Sequence, residues 1–478
     1  MSEHPERQHY GITLGVLALA ALSYALLQTM VAPALPAIQR DLGASTTEVT
    51  WVLTVYLLTA SVATPILGRV GDMFGKERTL VAVLVLFAIG SLMSALSHSI
   101  ELLVAGRAVQ GAAGAVFPLA FGIIRDEFPR ERVATGIGLI SATFGIGGGA
   151  GLVLSGLIVD HLSYEWIFWF GLAVVLVAIV ATQLFIPESP VKSPARIDWT
   201  GAALLSAGLV ALLLAVSEGP DWGWGSPRIL GLFVAAGVTL ALWVRFEQRV
   251  REPLVDIDLL RVRGVWTVNL TGFLIGYGMF GSFILIPQFV QAPPIAGYGF
   301  DADVTEAGLF MLPSAAVMLV AGPLAGSLAG RVGSKVPLLA GTACATLSFL
   351  LLALAHSEAW QIVIAVSLLG LGIGLSFASM ANLIVDAVPQ RQTGEATGMN
   401  TIMRTVGGAF GGQIAAAIVA GHAVAGTDYS TESGFTAAFA MGTVAVALAF
   451  GAALLIPGRV APEAALAAAT RAGEPGAT

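Results

Sequence analysis

The sequence predicts an all-α integral membrane protein of fourteen spans, arranged as two six-helix bundles with two additional inserted transmembrane helices. Three observations carry this expectation. The 478-residue chain contains fourteen long apolar runs, has a mean hydropathy of +0.85, and only 11% of its residues are charged. Lys and Arg cluster in every second gap between the runs and nearly vanish from the alternate gaps. Weak internal echoes recur at offsets of 262 and 258 residues. A helical span needs roughly 20 mainly apolar residues. The runs are long and uniformly apolar, not alternating, which indicates helices and not a barrel.

The elements follow in order. Residues 1–10 are polar and form an N-terminal tail. The first six runs, at 11–34, 49–68, 79–97, 101–123, 133–158 and 165–187, make an N-terminal bundle over 11–187. The first run is too long for a signal-peptide core and reads as an uncleaved anchor. Runs at 198–217 and 228–244 form an inserted pair, and with the charged stretch 245–263 they occupy 188–263. That stretch fits an amphipathic segment on the inner membrane surface. Runs at 264–291, 304–329, 336–355, 359–384, 396–421 and 434–456 make a C-terminal bundle over 264–456. The remainder, 457–478, contains Ala, Gly and Pro and reads as a short disordered tail.

Charge orients these spans. Of 23 Lys and Arg, nineteen fall at the termini or in gaps on the same side, while Arg40 and Arg228 alone face the other side. Short loops rich in Lys and Arg stay cytoplasmic, so a multi-pass protein of the plasma membrane with both termini in the cytoplasm is expected. The opposite side carries thirteen acidic residues and would attract cations. Arg107 and Arg404 fall inside spans.

The echoes suggest duplication. Ala134-Thr135-Gly136, Thr143, Gly145 and Gly149 recur as Ala396-Thr397-Gly398, Thr405, Gly407 and Gly411. Pro65, Gly68 and Gly75 recur as Pro323, Gly326 and Gly333. Six spans with short loops need fewer residues than either offset, and the excess holds the inserted pair. An even number of spans between repeats gives parallel halves about an axis normal to the membrane.

Several motifs carry chemistry. After span 2 comes Gly68-Arg-Val-Gly-Asp72-Met-Phe-Gly75-Lys76-Glu-Arg78. Glycines allow a tight reversal, and Asp72 can pair with a cation or a helix N-terminus. This loop resembles the signature of the major facilitator superfamily, with Met73 and Glu77 departing at two basic positions. The resemblance implies the major facilitator fold and a state-dependent latch between the halves. Span 4 carries Leu103-x-x-x-Arg107-x-x-Gln110-Gly111-x-x-Gly114-Ala115. A cation within an apolar helix should face the bundle interior with a partner. The spacing resembles the superfamily's span-4 motif, which implies a part in proton coupling; a structural Arg holding span 1 or 5 is the competing reading. In span 5, Gly147, Gly151 and Gly156 resemble an antiporter signature in which Leu152 here replaces a proline and Ser155 a glycine. That likeness favours export.

Other stretches resemble the fourteen-span drug:proton antiporter subfamily: Asp198-x-x-Gly201, Glu252-Pro253-Leu254-Val255-Asp256, Pro287-x-x-x-Gln291 with Gly308 and Pro313, and Trp166-Ile-Phe-Trp169. The likeness covers roughly residues 20–456. One departure matters: the subfamily's usual buried span-1 carboxylate is Leu27 here. The remaining carboxylate candidates sit near span ends: Glu48, Asp160, Glu165, Glu218 and Glu306 outside and Glu395 inside. Glu48 is the first candidate proton carrier and Asp160 the second.

Polar residues within spans are candidates to line a cavity: Tyr24, Gln28, Tyr56, Gln110, Asn269, Tyr277, Gln288, Gln291, Asn382, Asn400, Arg404 and Gln413. Tyr24 and Gln28 lie four apart and share a helix face, as do Asn400 and Arg404. Helix-to-helix hydrogen bonding competes with ligand contact at each. The six His lack metal-ligand spacing, no Walker loop or basic nucleic-acid patch is present, and the lone Cys344 cannot form an intramolecular disulfide. No cofactor is expected, and the protein is not read as an enzyme. The expected function is export of an amphipathic small molecule from the bilayer-embedded protein, with protons exchanged as the resemblance implies. Uptake or uncoupled facilitation is the alternative, and a transporter-like sensor a more remote one.

Overall fold

A computed structural model describes residues 10–44, 46–189, 198–250, 252–422 and 430–457. The chain tails, and with them the expected disordered C-terminus, lie outside the described residues. Fourteen helices are long and apolar enough to cross a membrane. They coincide with the fourteen expected runs, and most extend a turn beyond them into polar residues. Span 1 is Tyr10–Leu42, span 2 Thr46–Phe74, span 3 Lys76–Ala95 and span 5 Arg130–His161. Span 4 is helical over Ile100–Gln110, tightens over Gly111–Ala115 and resumes at Val116–Glu127. Span 6 is Glu165–Phe185, and the inserted spans 7 and 8 are Trp199–Ser217 and Pro227–Glu247. Spans 9 to 14 are Arg263–Val290, Val304–Val332, Lys335–Leu354, Ala359–Ala387, Thr393–Ala420 and Glu432–Leu454.

Local chemistry sets the helix ends. Asp198 caps span 7 by accepting from Gly201 N, and Ser226 caps span 8 ahead of Pro227. Asp303 and Glu306 form a reciprocal capping box at span 10. The turn between spans 2 and 3 passes through Gly75 at φ 121°, a backbone region that side chains disfavour.

Span 5 packs on span 1 and span 13 on span 9, so the echoed segments occupy corresponding places in the two halves. Without a hydrophobic drive between helices in lipid, close approach depends on small residues. Thr29 Oγ1 of span 1 donates to Gly147 O of span 5 at 2.7 Å. A Cβ on Gly407 or Gly411 of span 13 would strike the span-9 backbone at Phe273 or Tyr277.

Two seams join the halves. Along the first, spans 5 and 10 touch through Ala134 and Gly326, Gly138 and Gly322, Gly149 and Ala315, and Gly156 and Thr305. Along the second, spans 2 and 13 meet at the end carrying the basic loops, where Gly68 and Gly394 face each other's carbonyls. Span 7 lies over this second seam. Its Leu205, Leu209 and Leu213 share an apolar cluster with Leu58 of span 2 and Met399, Ile402 and Val406 of span 13. Span 8 is the more peripheral, and its exposed Leu230, Val234, Val238 and Leu242 form an i, i+4 stripe suited to lipid.

Candidate functional site: a cavity above a charged latch

At the basic end, buried charges hold the second seam shut. Asp72, at the end of span 2, accepts from the backbone N–H groups of Gly394 at 3.4 Å and Glu395 at 3.2 Å. These are among the first amides of span 13, where a helix favours an anion. Lys76 Nζ lies 3.5 Å from Asp72 and 2.7 Å from Asp126. Arg69 pairs with Glu395 at 3.3 Å, and the other Glu395 oxygen accepts from Asp256 N at 2.6 Å. Arg125 crosses between halves and donates to Val388 O at 2.8 Å and to Thr393 Oγ1 at 2.5 Å. Asp72, Lys76 and Glu395 are each 1% exposed. Such charges are tolerable only because each has several partners.

Arg125, Asp126 and Glu395 reach further than their sequence positions suggested. Arg125 counted only as a loop cation and Glu395 only as a carboxylate near a span end. Asp126 directly following Arg125, at the end of span 4 and two spans after a loop already rich in charge, is the signal that could have flagged them.

Toward the opposite end spans 2 and 13 separate around a cavity of about 220 Å³. Its apolar lining includes Leu53, Leu57, Phe144, Leu213, Phe280 and Phe283. Its polar lining is Gln28, Thr29, Thr54, Tyr56, Arg107, Ser217 and Gln413. Ser217 ends span 7 and bonds Thr54 of span 2 at 2.8 Å, so the inserted helix forms part of the wall. Among the described residues none of the lining is acidic, although the buried Glu218 directly follows the lining Ser217.

Arg107 is fully buried. Its Nε donates to Val52 O at 3.1 Å and its Nη1 to Gln110 Oε1 at 2.7 Å, while Tyr56 lies under the guanidinium with its ring centroid 4.0 Å from Cζ. Gln110 passes the contact to Ser91 at 2.9 Å. The tightened stretch Gly111–Ala115 places Gly111 and Gly114 against Thr59, Ala60 and Thr64 of span 2, which brings Tyr56 within reach. The structural contact of Arg107 is therefore with span 2, and neither span 1 nor span 5 receives a hydrogen bond from it among the described residues. Tyr24 joins Tyr56 at 6.2 Å between ring centroids and Phe117 at 5.8 Å.

The structure separates the other candidates. Arg404 lies over Phe377 at 4.4 Å, one turn from Asn400, whose Nδ2 donates to Asn269 Oδ1 at 3.0 Å. Glu48 and Asp160 stand exposed at the far end and do not line the cavity; Asp160 accepts from Thr305 Oγ1 across the first seam at 3.0 Å. Gln288 is exposed and Gln291 bonds Pro287 O at 3.0 Å, so neither points into the cavity as an inward polar face would require. Gln288 lies in the last turn of span 9 and Gln291 caps it, where the far end of the helix meets loop residues and polar groups need no bundle partner. Leu27, at the position of the subfamily carboxylate, is turned away from the cavity against Gly171 of span 6.

Two helical halves around a central cavity, sealed at one end, are the architecture of a membrane transporter. The model of the Major Facilitator Superfamily matches residues 17–412, and the chain belongs to that family. It is 29% identical over 415 residues to the multidrug transporter protein MdtP of Bacillus subtilis, covering 86% of this chain and 75% of that one. It is 30% identical over 412 residues to the tetracenomycin C resistance and export protein of Streptomyces glaucescens, covering 85% and 76%. The crystal structure of the human organic anion transporter MFSD10 matches with a TM-score of 0.66 over 94% of this chain and 100% of that one. At 17% identity that likeness speaks for the fold alone.

Proposed function

We propose that the protein exports an amphipathic small molecule across the plasma membrane by alternating access, in exchange for protons. One observation carries the reading: a largely apolar cavity with a few convergent polar groups lies between the halves, directly above a latch of buried charges. The basic loops support a cytoplasmic position for the latched end, and on that orientation the cavity belongs to the outer half. Relatives named for multidrug transport and for export support the outward direction. Reporter fusions at Thr478 and in the loop 297–303 should give inside and outside signals respectively. Matching signals would defeat the orientation.

The acids best placed to exchange protons are Asp72 and Glu395, because opening the latch would take them from buried partners into water. Glu48 and Asp160 remain candidates at the outer end. Substrate-dependent proton movement in proteoliposomes, measured over a compound panel, tests the reading. An uncoupled facilitator is the second reading, favoured by Leu27 facing Gly171 and by a cavity without acidic lining. Transport with no proton flux would select it.

A further inference from the structure

We infer that the substrate of this cavity is an organic anion: one acidic group on an aromatic or aliphatic body. The inference rests on the transport reading and specifies its cargo. Arg107 brings a full positive charge to the cavity wall from within a membrane-spanning helix. Its hydrogen bonds go to a neutral carbonyl and a neutral amide, and its Nη2 has no hydrogen-bond partner among the described residues. Gln28 Oε1, on the same wall, also lacks one. The other half contributes a second buried guanidinium. Arg404 is 7% exposed, and its hydrogen bonds are long, at 3.5 Å to Asn400 Oδ1 and to Thr401 Oγ1, both neutral. The ion pairs among the described residues involve neither arginine.

A charge inside a membrane normally has a counter-charge or serves a ligand. Here one cation, Arg107, lies on the cavity wall, a second, Arg404, is buried in the other half outside that wall, and none of the described lining residues is an acid. A lipophilic cation entering the cavity would meet unscreened repulsion. An anion would supply the missing partner, and the planar guanidinium fork suits a carboxylate, sulfonate or phenolate. Phe144, Phe280, Phe283, Leu53 and Leu57 supply the surface for an apolar body.

Three probes of one shape test the inference: 2-naphthylacetate, 2-naphthylacetamide and (2-naphthylmethyl)trimethylammonium. Each is titrated against the full-length protein in nanodiscs of zwitterionic lipid. The anion should bind tightest and the cation weakest, by tenfold or more between them. Arg107→Gln should level the series, and Arg107→Lys should keep part of the preference. Gln413→Glu places a carboxylate on the wall without touching Arg107, and should weaken the anion and strengthen the cation even if Arg107→Gln fails to fold. Equal or tighter binding of the cation to the wild type, binding of none of the three, or a preference unchanged in both Arg107→Gln and Gln413→Glu would overturn the inference. Energised vesicles that export cations only would also overturn it while leaving export intact. Vesicles that export nothing would remove the export reading itself.

Discussion

The seam between spans 5 and 10 and the seam between spans 2 and 13 are counterparts under the internal repeat, yet they are closed differently. The first is in contact from Ala134 and Gly326 at the basic end to Gly156 and Thr305 at the other. It is held by the fit of small residues along its length, with Asp160 and Thr305 bonded at the far end. The second is closed only at the basic end, by Gly68 against Gly394 and the charges around Asp72. Beyond Thr64 it widens into the cavity, with Leu53, Thr54 and Leu57 on one side and Gly408, Gly412 and Gln413 on the other. Span 7 covers the widened part. A seam packed on backbone has few ways to part, whereas a seam latched by charges at one end can open there when the charges find water. The difference points to the second seam as the moving one and to span 7 as the cover that keeps lipid out of it.

The largest expected effect comes from breaking the closed seam. Gly138→Leu would drive a side chain into the Gly322 carbonyl, with no flexible neighbour to yield. Overpacking against backbone should cost about 3 kcal/mol or more and remove the monodisperse protein from a detergent preparation. Gly412→Ala, at the open part of the second seam, would meet only the Ile284 side-chain tip at 3.0 Å. It should melt within a degree or two of wild type, a change of about 0.5 kcal/mol. Comparable damage at both positions would erase the distinction between the seams.

Next comes Arg107, which ties span 4 to the open part of span 2 through Val52 O. Arg107→Ala should lower transport roughly 100-fold, because a charge-assisted bond and a cation–π contact are both lost. Folding should survive, since Tyr56 and Gln110 can relax into the space. An Ala variant with full transport would end any functional claim for this residue.

Asp72→Asn loosens the latch without breaking the packing of Gly68 on Gly394. Losing the anion at the start of span 13 and its attraction to Lys76 should weaken closure by about 1 kcal/mol, or roughly fivefold in the ratio of closed to open. Spin labels at the exposed Arg78 and Arg331 should then report a larger population with separated basic ends. An unchanged distance distribution would mean that packing alone holds the latch.

The smallest effect is expected at span 7. Ser217→Ala removes the 2.8 Å bond to Thr54. Hydrogen bonds between helices in membranes contribute about 0.6 kcal/mol on average, so the melting temperature should barely move. Transport should change at most about threefold, and a complete loss would show that span 7 takes part in the motion.

The sequence was legible where physics acts on composition. Roughly twenty apolar residues must span a bilayer, so the fourteen helices match their runs closely. Gly68, Asp72, Gly75, Arg107 and the span-5 glycines were visible because a membrane tolerates charge and close approach only for a reason. Tyr24 and Gln28 did share a face, with Gln28 on the cavity wall and Tyr24 packed on Tyr56. The partners of these residues were not legible. Arg69 and Arg125 read only as same-side cations and Asp126 carries no reading at all, because nothing local shows that they cross to the other half at sequence separations of 264 or more.

The sequence by itself therefore determined the number of spans, the gathering of their basic loops at one end and the family. Only the tertiary structure decided which face of each helix looks inward. Lipid is as apolar as a bundle core, so hydrophobicity does not separate the two faces as it does in water. Leu27 could have faced the cavity, and Gln288 could have lined it. The fit of Gly171 against Leu27 and the end of span 9 at Gln291 set those directions. The same fit left Arg107 on the cavity wall with no carboxylate beside it, which no pattern of residues along the chain could have shown.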